Sequence, residues 1–516
     1  MSRRRKILIL VGAVFGVAIL VPVIHHYQLK AAVNRYKAEL RAKGEPMELA
    51  QVVPPTVPPE QNSAELFTNA TSLLNKNDSV LSSNQPPMMR MIGPGKAMIG
   101  WKQPDVRENA KNGATNSWAD IEAALEKEQV TLNLVRALPQ QPIFDFKLNY
   151  SDGFGKMKFS SLAPAKKTAQ RLAASAANNL RHGDTDAATK DIQAILAVDH
   201  GISHDRTLIS ELVRIAIAQI AVSANWEFLQ STAVKDEQLA TLQQSWTDLE
   251  FIQTFENAMN MERVVGDTDL TTMRASGLAS YYEPLNKLGL WKTEDDFFSR
   301  LKLKYKSMMW RYWWSYPDEL RGIKGVQSVM EAARQTQTNH SFFAADTGLK
   351  TQIESLGIKS DAGDGFWFTD PAKADFHFII SSSMTAFERA FNKVMKVETA
   401  RQMNITAIAL KRFQLKHGNY PAQLSELAPE FLASVPLDPV DGQPLRYRLN
   451  ADGNFLLYSI GENGKDDGGD PSLADQGKYK SLQWQNSDAL DWVWPQPATG
   501  EEIQHYYSNQ SIKSKN

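Results

Sequence analysis

Apolar residues are laid along this 516-residue chain in three rhythms. The first is an unbroken run from Ile7 to Ile24, 18 residues without a charge. At ~1.5 Å per residue such a helix spans roughly 27 Å, close to the hydrocarbon thickness of a bilayer. The run therefore predicts a membrane-spanning helix at residues 7–24. The second rhythm repeats apolar residues every three or four positions and fills the middle of the chain. In Arg206–Leu229 it places Leu208, Leu212, Ile215 and Ile220 on one helical face. Lys235–Val265 continues it with Leu239, Leu242, Trp246, Leu249 and Phe255. It returns in Ser383–Lys416 with Phe387, Phe391, Val394, Ala400, Met403, Ala407, Leu410 and Phe413. The third rhythm is alternation: Leu445, Tyr447 and Leu449 interleave with Arg446 and Arg448, a strand with one buried and one wet face.

Breakers divide these segments. RHGDT separates helical patterns at Thr168–Leu180 and Asp186–Val198, a short turn between helices that pack as a pair. No fixed period links such pairs, so a repeat array is not indicated. The long C-terminal helix stops at HGNYP, where Gly418 suits a helix end and Pro421 forbids continuation. AQLSELAPEF then predicts a short second helix. Leu445–Leu449 and Phe455–Ile460 predict strands joined by the turn NADGN. After the apolar run, Tyr27–Lys43 predicts a juxtamembrane helix. VVPPTVPPEQN (Val52–Asn62) follows, a polyproline-like spacer expected to hold the body off the bilayer. In MMWRYWWSYP, Trp310, Trp313 and Trp314 predict a packed aromatic helix within a large core; a membrane-interface helix is the rival.

Charge sets the orientation of the first element. Arg3, Arg4, Arg5 and Lys6 precede the run and favour a cytoplasmic N-terminus, with Lys30, Arg35 and Lys37 opposing them more weakly. A cleaved signal peptide is the competing expectation, but the run is long for one and lacks a small-x-small site after it. Over the whole chain 57 basic residues balance 58 acidic ones, so no basic field points to nucleic acid. The absence of cysteine excludes disulfides, thiol catalysis and thiolate zinc sites. Walker loops, HExxH, GxSxG and dinucleotide glycine fingerprints are missing. GPGK (Gly93–Lys96) predicts a turn. DHGISHD (Asp199–Asp205) spaces His200 and His204 as metal ligands can be spaced, but predicts a solvated loop between helices.

The last quarter of the chain carries a resemblance. The order NYP, VPLDPVDGQPLRYR, LYSIGENGKDDGG and DALDW resembles the C-terminal domain of the major pseudopilin of bacterial type II secretion systems. The matching positions are Tyr420, Pro421, Asp438, Pro439, Gly442, Pro444, Tyr447, Ser459, Gly461, Gly464 and Trp492. The resemblance implies a calcium ion held by the loop and the late acidic segment, with Asp466, Asp467, Asp488 and Asp491 as side-chain ligands. Calcium takes six to eight oxygens, and the loop glycines would let the backbone wrap it. Asn463 stands where that family has the loop aspartate. The Gly-Phe processing site and first-turn Glu of a working pilin are not found near residues 1 to 24, and a long helical body separates the apolar run from the head.

The expected fold is mainly α. Residues 1–6 form a cytoplasmic tail, 7–24 a transmembrane helix, 25–62 a juxtamembrane helix and linker, and 63–376 a large extracytoplasmic helical domain. Residues 377–497 form an α+β pseudopilin-like domain, and 498–516 a disordered polar tail. The expected place is the bacterial inner membrane, single-pass, with the bulk of the chain periplasmic. The expected role is an envelope scaffold that binds other envelope proteins, with an envelope hydrolase acting in the helical domain as the alternative.

Overall fold

A computed structural model describes residues 3–513 except 75–79, 82–87, 105, 108–114, 278–296, 359–383, 475–483 and 486. The chain is mainly helical, with small sheets at its edges. The expected boundary near residue 376 lies outside the described residues.

The N-terminal apolar run and the juxtamembrane segment form one helix, α1 (Arg3–Ala42). Most side chains of the apolar run lie outside the described residues; Leu20, Val21, Val23 and Ile24 are exposed. The other end of α1 is built into the body. Leu40 packs with Met47 and Ile323, and Lys37 pairs at 2.5 Å with both Asp267 and Glu319. Just beyond α1, Glu45 receives Arg263 at 3.1 Å, Gln327 at 3.0 Å and Arg334 at 2.5 Å. The proline-rich segment is not a spacer. After the short helix α2 (Leu49–Val52) it runs along the body, burying Val52 and Val57, and Asn62 donates to the Asp145 carbonyl at 3.0 Å. The chain returns to the body before the prolines, so they have nothing to hold apart.

Helices α3 (Ala64–Ser72) and α4 (Trp118–Arg136) lead into the centre. There α5 (Leu162–Arg181) and α6 (Thr185–Ile202) turn back on each other at Gly183 (φ 79°), and the Asp184 carboxylate caps α6 by accepting from the Ala187 amide at 2.9 Å. Both pack on α7 (Leu208–Leu229). Among the described residues α7 is the one helix long and apolar enough to cross a membrane, with mean hydropathy 1.4. Its setting is a protein core: Ile215, Ile217, Trp226 and Phe228 are buried, and its buried Arg214 pairs with Glu211 at 2.9 Å and Asp199 at 3.1 Å. A helix apolar on most of its faces is what the middle of a bundle requires.

The pattern expected to run through Lys235–Val265 breaks into α8 (Asp236–Thr247) and α9 (Ile252–Ser276). Leu239, Leu242, Trp246, Leu249 and Phe255 are all buried across the break, so spacing identified the face but not the corner. Next come α10 (Phe297–Met309), a single π-turn at Trp310–Trp314, α11 (Ser315–Asn339) and α12 (Phe342–Ser355). The long helix α13 (Met384–His417) lies against α7, α8 and α11, burying all eight expected apolar positions and pairing Asn404 with Asn225 at 2.8 Å. It ends at Gly418 (φ 82°), as HGNYP predicts. The predicted second helix is only a 3-10 turn, Leu424–Leu427.

Three small sheets complete the chain. Strands β1 (Arg90–Gly93) and β2 (Lys96–Met98) form a hairpin across Gly95, the turn expected at GPGK. Strands β3 (Val106–Arg107) and β4 (Thr115–Asn116) pair separately. Strands β5 (Arg446–Leu449), β6 (Phe455–Ser459) and β7 (Trp492–Val493) form the C-terminal sheet, and β8 (Gln496–Pro497) pairs parallel with β2. One continuous cluster of buried residues extends from Ala64 to Trp494, so helical body and C-terminal module share a core. The expected disordered tail is instead a helix, α14 (Gly500–Lys513), whose Tyr507 hydroxyl lies 3.5 Å from the Met98 sulfur.

Candidate functional site

The C-terminal hairpin positions the acidic loop. Arg446 faces Tyr458, and Leu449 faces Phe455, across a tight turn in which the Asn450 amide donates to the Asn454 carbonyl at 2.7 Å. Alternation on β5 is only partly a division between core and water. Leu445 is buried and the Tyr447 hydroxyl donates to the Pro421 carbonyl at 2.7 Å, but Leu449 at the strand end is exposed. Arg446, expected on the wet face, is the organising cation of the module. Its guanidinium meets Asp441 at 2.5 Å, Asp438 at 3.2 Å and Asp466 at 3.6 Å.

Asp438 is fully buried. Its carboxylate accepts from Ser459 Oγ at 2.8 Å and from the amides of Val440 at 3.0 Å and Ile460 at 3.1 Å. Burial pushes this carboxyl up to about 6 despite those bonds. It ties the 438–442 loop to the end of β6. That loop in turn holds the helical body: the amides of Phe342 and Phe343 donate to the carbonyls of Pro439 and Val440 at 3.0 and 2.9 Å, satisfying the first turn of α12.

The acidic loop itself is closed by its own donors. Asp491, immediately before β7, accepts from the amides of Gly469 at 2.8 Å, Asp470 at 3.1 Å and Asp467 at 3.4 Å. Burial raises the Asp491 carboxyl and those amide bonds oppose the rise. Asp466 accepts from Tyr458 Oη at 2.9 Å and the Gly468 amide at 3.0 Å, bonds that hold its carboxyl below the usual range. Asp467 accepts from the Asn463 side-chain amide at 2.8 Å. Asp488 joins through its backbone, whose carbonyl accepts from the Ala474 amide at 2.8 Å. Gly464 (φ 67°) sits against the Phe343 ring, where a Cβ would come within 2.4 Å. Lys396 on α13 pairs with Glu462 at 2.7 Å.

Of the four residues the resemblance nominates, Asp466, Asp467 and Asp491 are thus brought to one loop and Asp488 to its flank. Among the described residues no three His, Asp or Glu side chains converge as a metal shell. The carboxylates of Asp466, Asp467 and Asp491 face amides, a phenol and a guanidinium, so a calcium ion would have to turn these three away from donors they already satisfy. Asp441, central to the geometry, was visible in the sequence only as a member of the VPLDPVDGQPLRYR stretch, and Arg446 only there and as a wet-face position of the strand.

DHGISHD is not a solvated loop. Asp199, His200 and Gly201 continue α6, and a Cβ on Gly201 would meet the Phe144 ring at 2.4 Å. Asp199 and Asp205 are buried on Arg214 and Ser210, and burial lowers the affinity of both His200 and His204 for protons. Compared with family models, curated proteins and solved structures, the chain matches none.

Proposed function

We propose that the chain is a single-pass scaffold of the bacterial cell envelope, anchored by residues 7–24 and presenting the acidic C-terminal module to partner proteins outside the cytoplasm. The observation that carries this reading is the mechanical continuity of α1. One helix joins the apolar run to a half clamped on the body through Lys37, Glu319, Leu40 and Ile323. A load on the module passes through the shared core and this clamp to the anchor. The hydrolase alternative needs a solvent-facing nucleophile or base in the helical body. The body's buried Asp191 and Glu211 are instead spent on Arg136 and Arg214. The pseudopilin-like ending supports a role in assembly. Calcium at Asp466, Asp467, Asp488 and Asp491 is the less favoured part of that resemblance, given the donors that Asp466, Asp467 and Asp491 already face.

A reporter active only outside the cytoplasm, fused after Asn516, tests the topology. Activity there, together with crosslinks from the 438–470 surface to envelope proteins, supports the reading. Activity only of a cytoplasmic reporter at the same position overturns it. Robust turnover by the purified chain, lost on one polar substitution in the helical body, would turn the assignment to the hydrolase.

A further inference from the structure

The aromatic stretch does two things at once. Trp310 is fully buried, its indole N–H donating to Asp318 Oδ2 at 3.1 Å, as a packed core aromatic would be. Its neighbours point the other way. Leu301, Tyr305, Met308, Tyr312 and Trp313 are 54%, 59%, 50%, 56% and 41% exposed. The first four follow spacings of four, three and four, so they form one stripe along α10 and into the π-turn. Large apolar side chains rarely lie together in water without a partner.

Position and charge identify that partner. His26 Nδ1 lies 3.0 Å from the Tyr312 carbonyl, and the His26 ring stands 5.1 Å from that of Tyr316. Residue 26 is two positions past the end of the apolar run, so the π-turn sits where α1 would leave the hydrocarbon. On the same stretch of α1, Leu20, Val21, Val23, Ile24 and Tyr27 are exposed. Between Phe297 and Pro317 the chain carries five basic residues (Arg300, Lys302, Lys304, Lys306, Arg311) and no acidic one, although its overall net charge is −1. A stripe of Leu, Tyr and Met, with Trp313 beside it and the cations Lys304 and Arg311 exposed on the same segment, matches an interfacial helix on anionic lipid, with aromatics at headgroup depth.

We propose that α10 and the π-turn form a second membrane contact, lying in the headgroup region of an anionic leaflet beside the exit of α1 and fixing the tilt of the body on the bilayer. This rests on the reading of residues 7–24 as an anchor, and the experiment separates the two. The chain has no cysteine, so single cysteines report without background. Tyr305→Cys, Met308→Cys, Leu20→Cys and, as an exposed reference on α8, Glu237→Cys are each made in the full chain. Each is labelled with a polarity-sensitive fluorophore and reconstituted in phosphatidylglycerol-containing vesicles. Labels at 305 and 308 should emit blue-shifted light, be quenched by shallow nitroxide lipids, and show several-fold weaker iodide quenching than the label at 237. If 305 and 308 quench with iodide like 237 while 20 is protected, the second contact is wrong and the anchor stands. If 20 is also open to iodide, anchor and contact both fail.

Discussion

At the scale of single residues, the C-terminal module turns on a few carboxylates whose partners are backbone amides. Asp491 is the clearest, with three loop amides on one buried side chain. Asp491→Ala should cost about 1–3 kcal/mol, because three amide donors lose one buried ionic acceptor at once. Chemical denaturation of the full chain measures this, and a loss near zero would mean that the loop is organised by something else. Calcium is the obvious candidate. An ion binding only the folded state at ~100 times its Kd would add about 2.7 kcal/mol. The geometry leads us to expect coincident wild-type melting curves in millimolar calcium and in chelator; a clear rise in calcium would show that the carboxylates turn to the ion. The acidic loop itself was legible in the sequence, since glycines and aspartates cluster there. Arg446 was not, because strand alternation assigns a side chain to a face and cannot say that three carboxylates gather on that face. DHGISHD misled in the opposite sense: its polar residues around Gly201 predicted a solvated loop, but the segment continues α6 and its acids are buried on Arg214 and Ser210.

At the scale of elements, periodicity located the helices well and their ends unevenly. Every apolar position expected on α13 is buried, and the stop at Gly418 follows from its left-handed backbone. The break between α8 and α9 was hidden because both helices bury the same face. The terminal helix was hidden for another reason, since composition suggested a polar tail. Its signal is local: the Thr499 amide donates to Glu502 Oε2 at 2.7 Å, and the Glu502 amide to Thr499 Oγ1 at 3.2 Å, a reciprocal cap. Thr499→Ala should remove about 1 kcal/mol from α14. Amide exchange in residues 500–509 should then quicken roughly fivefold while the core helices keep their protection. Unchanged exchange would mean that the Arg90–Tyr506 and Met98–Tyr507 contacts hold the helix unaided.

At the scale of the whole molecule, what the sequence could not disclose is the joining of distant segments. Lys96 pairs with Gln496, Glu227 receives the amides of Met89 and Gly100, and Trp226 donates to the Pro495 carbonyl at 2.9 Å. These are long-range closures with no local pattern, and they fuse what composition presents as a body and a separate head. The same burial makes the fold sensitive to pH. Glu227 and Glu262 are buried and, among the described residues, neither forms an ion pair, and burial pushes both carboxyls up to about 8. Each therefore holds its proton more tightly folded than unfolded. The stability this confers is complete below about pH 4 and is lost as pH rises through about 8. Glu45 acts oppositely: burial raises it, but bonds from Arg334 and Gln327 prevail and bring it down to about 2, so its contribution is present above about pH 4.5 and lost in acid. The melting temperature of the full chain should accordingly be highest in mildly acidic solution and fall from pH 6 to pH 9. Glu227→Gln preserves the acceptor for Met89 and Gly100 and removes the ionisation, so it should flatten the alkaline limb, and Glu262→Gln should flatten it further. A wild-type melting temperature that rises from pH 6 to pH 9 would mean that neither carboxyl retains its proton inside the fold.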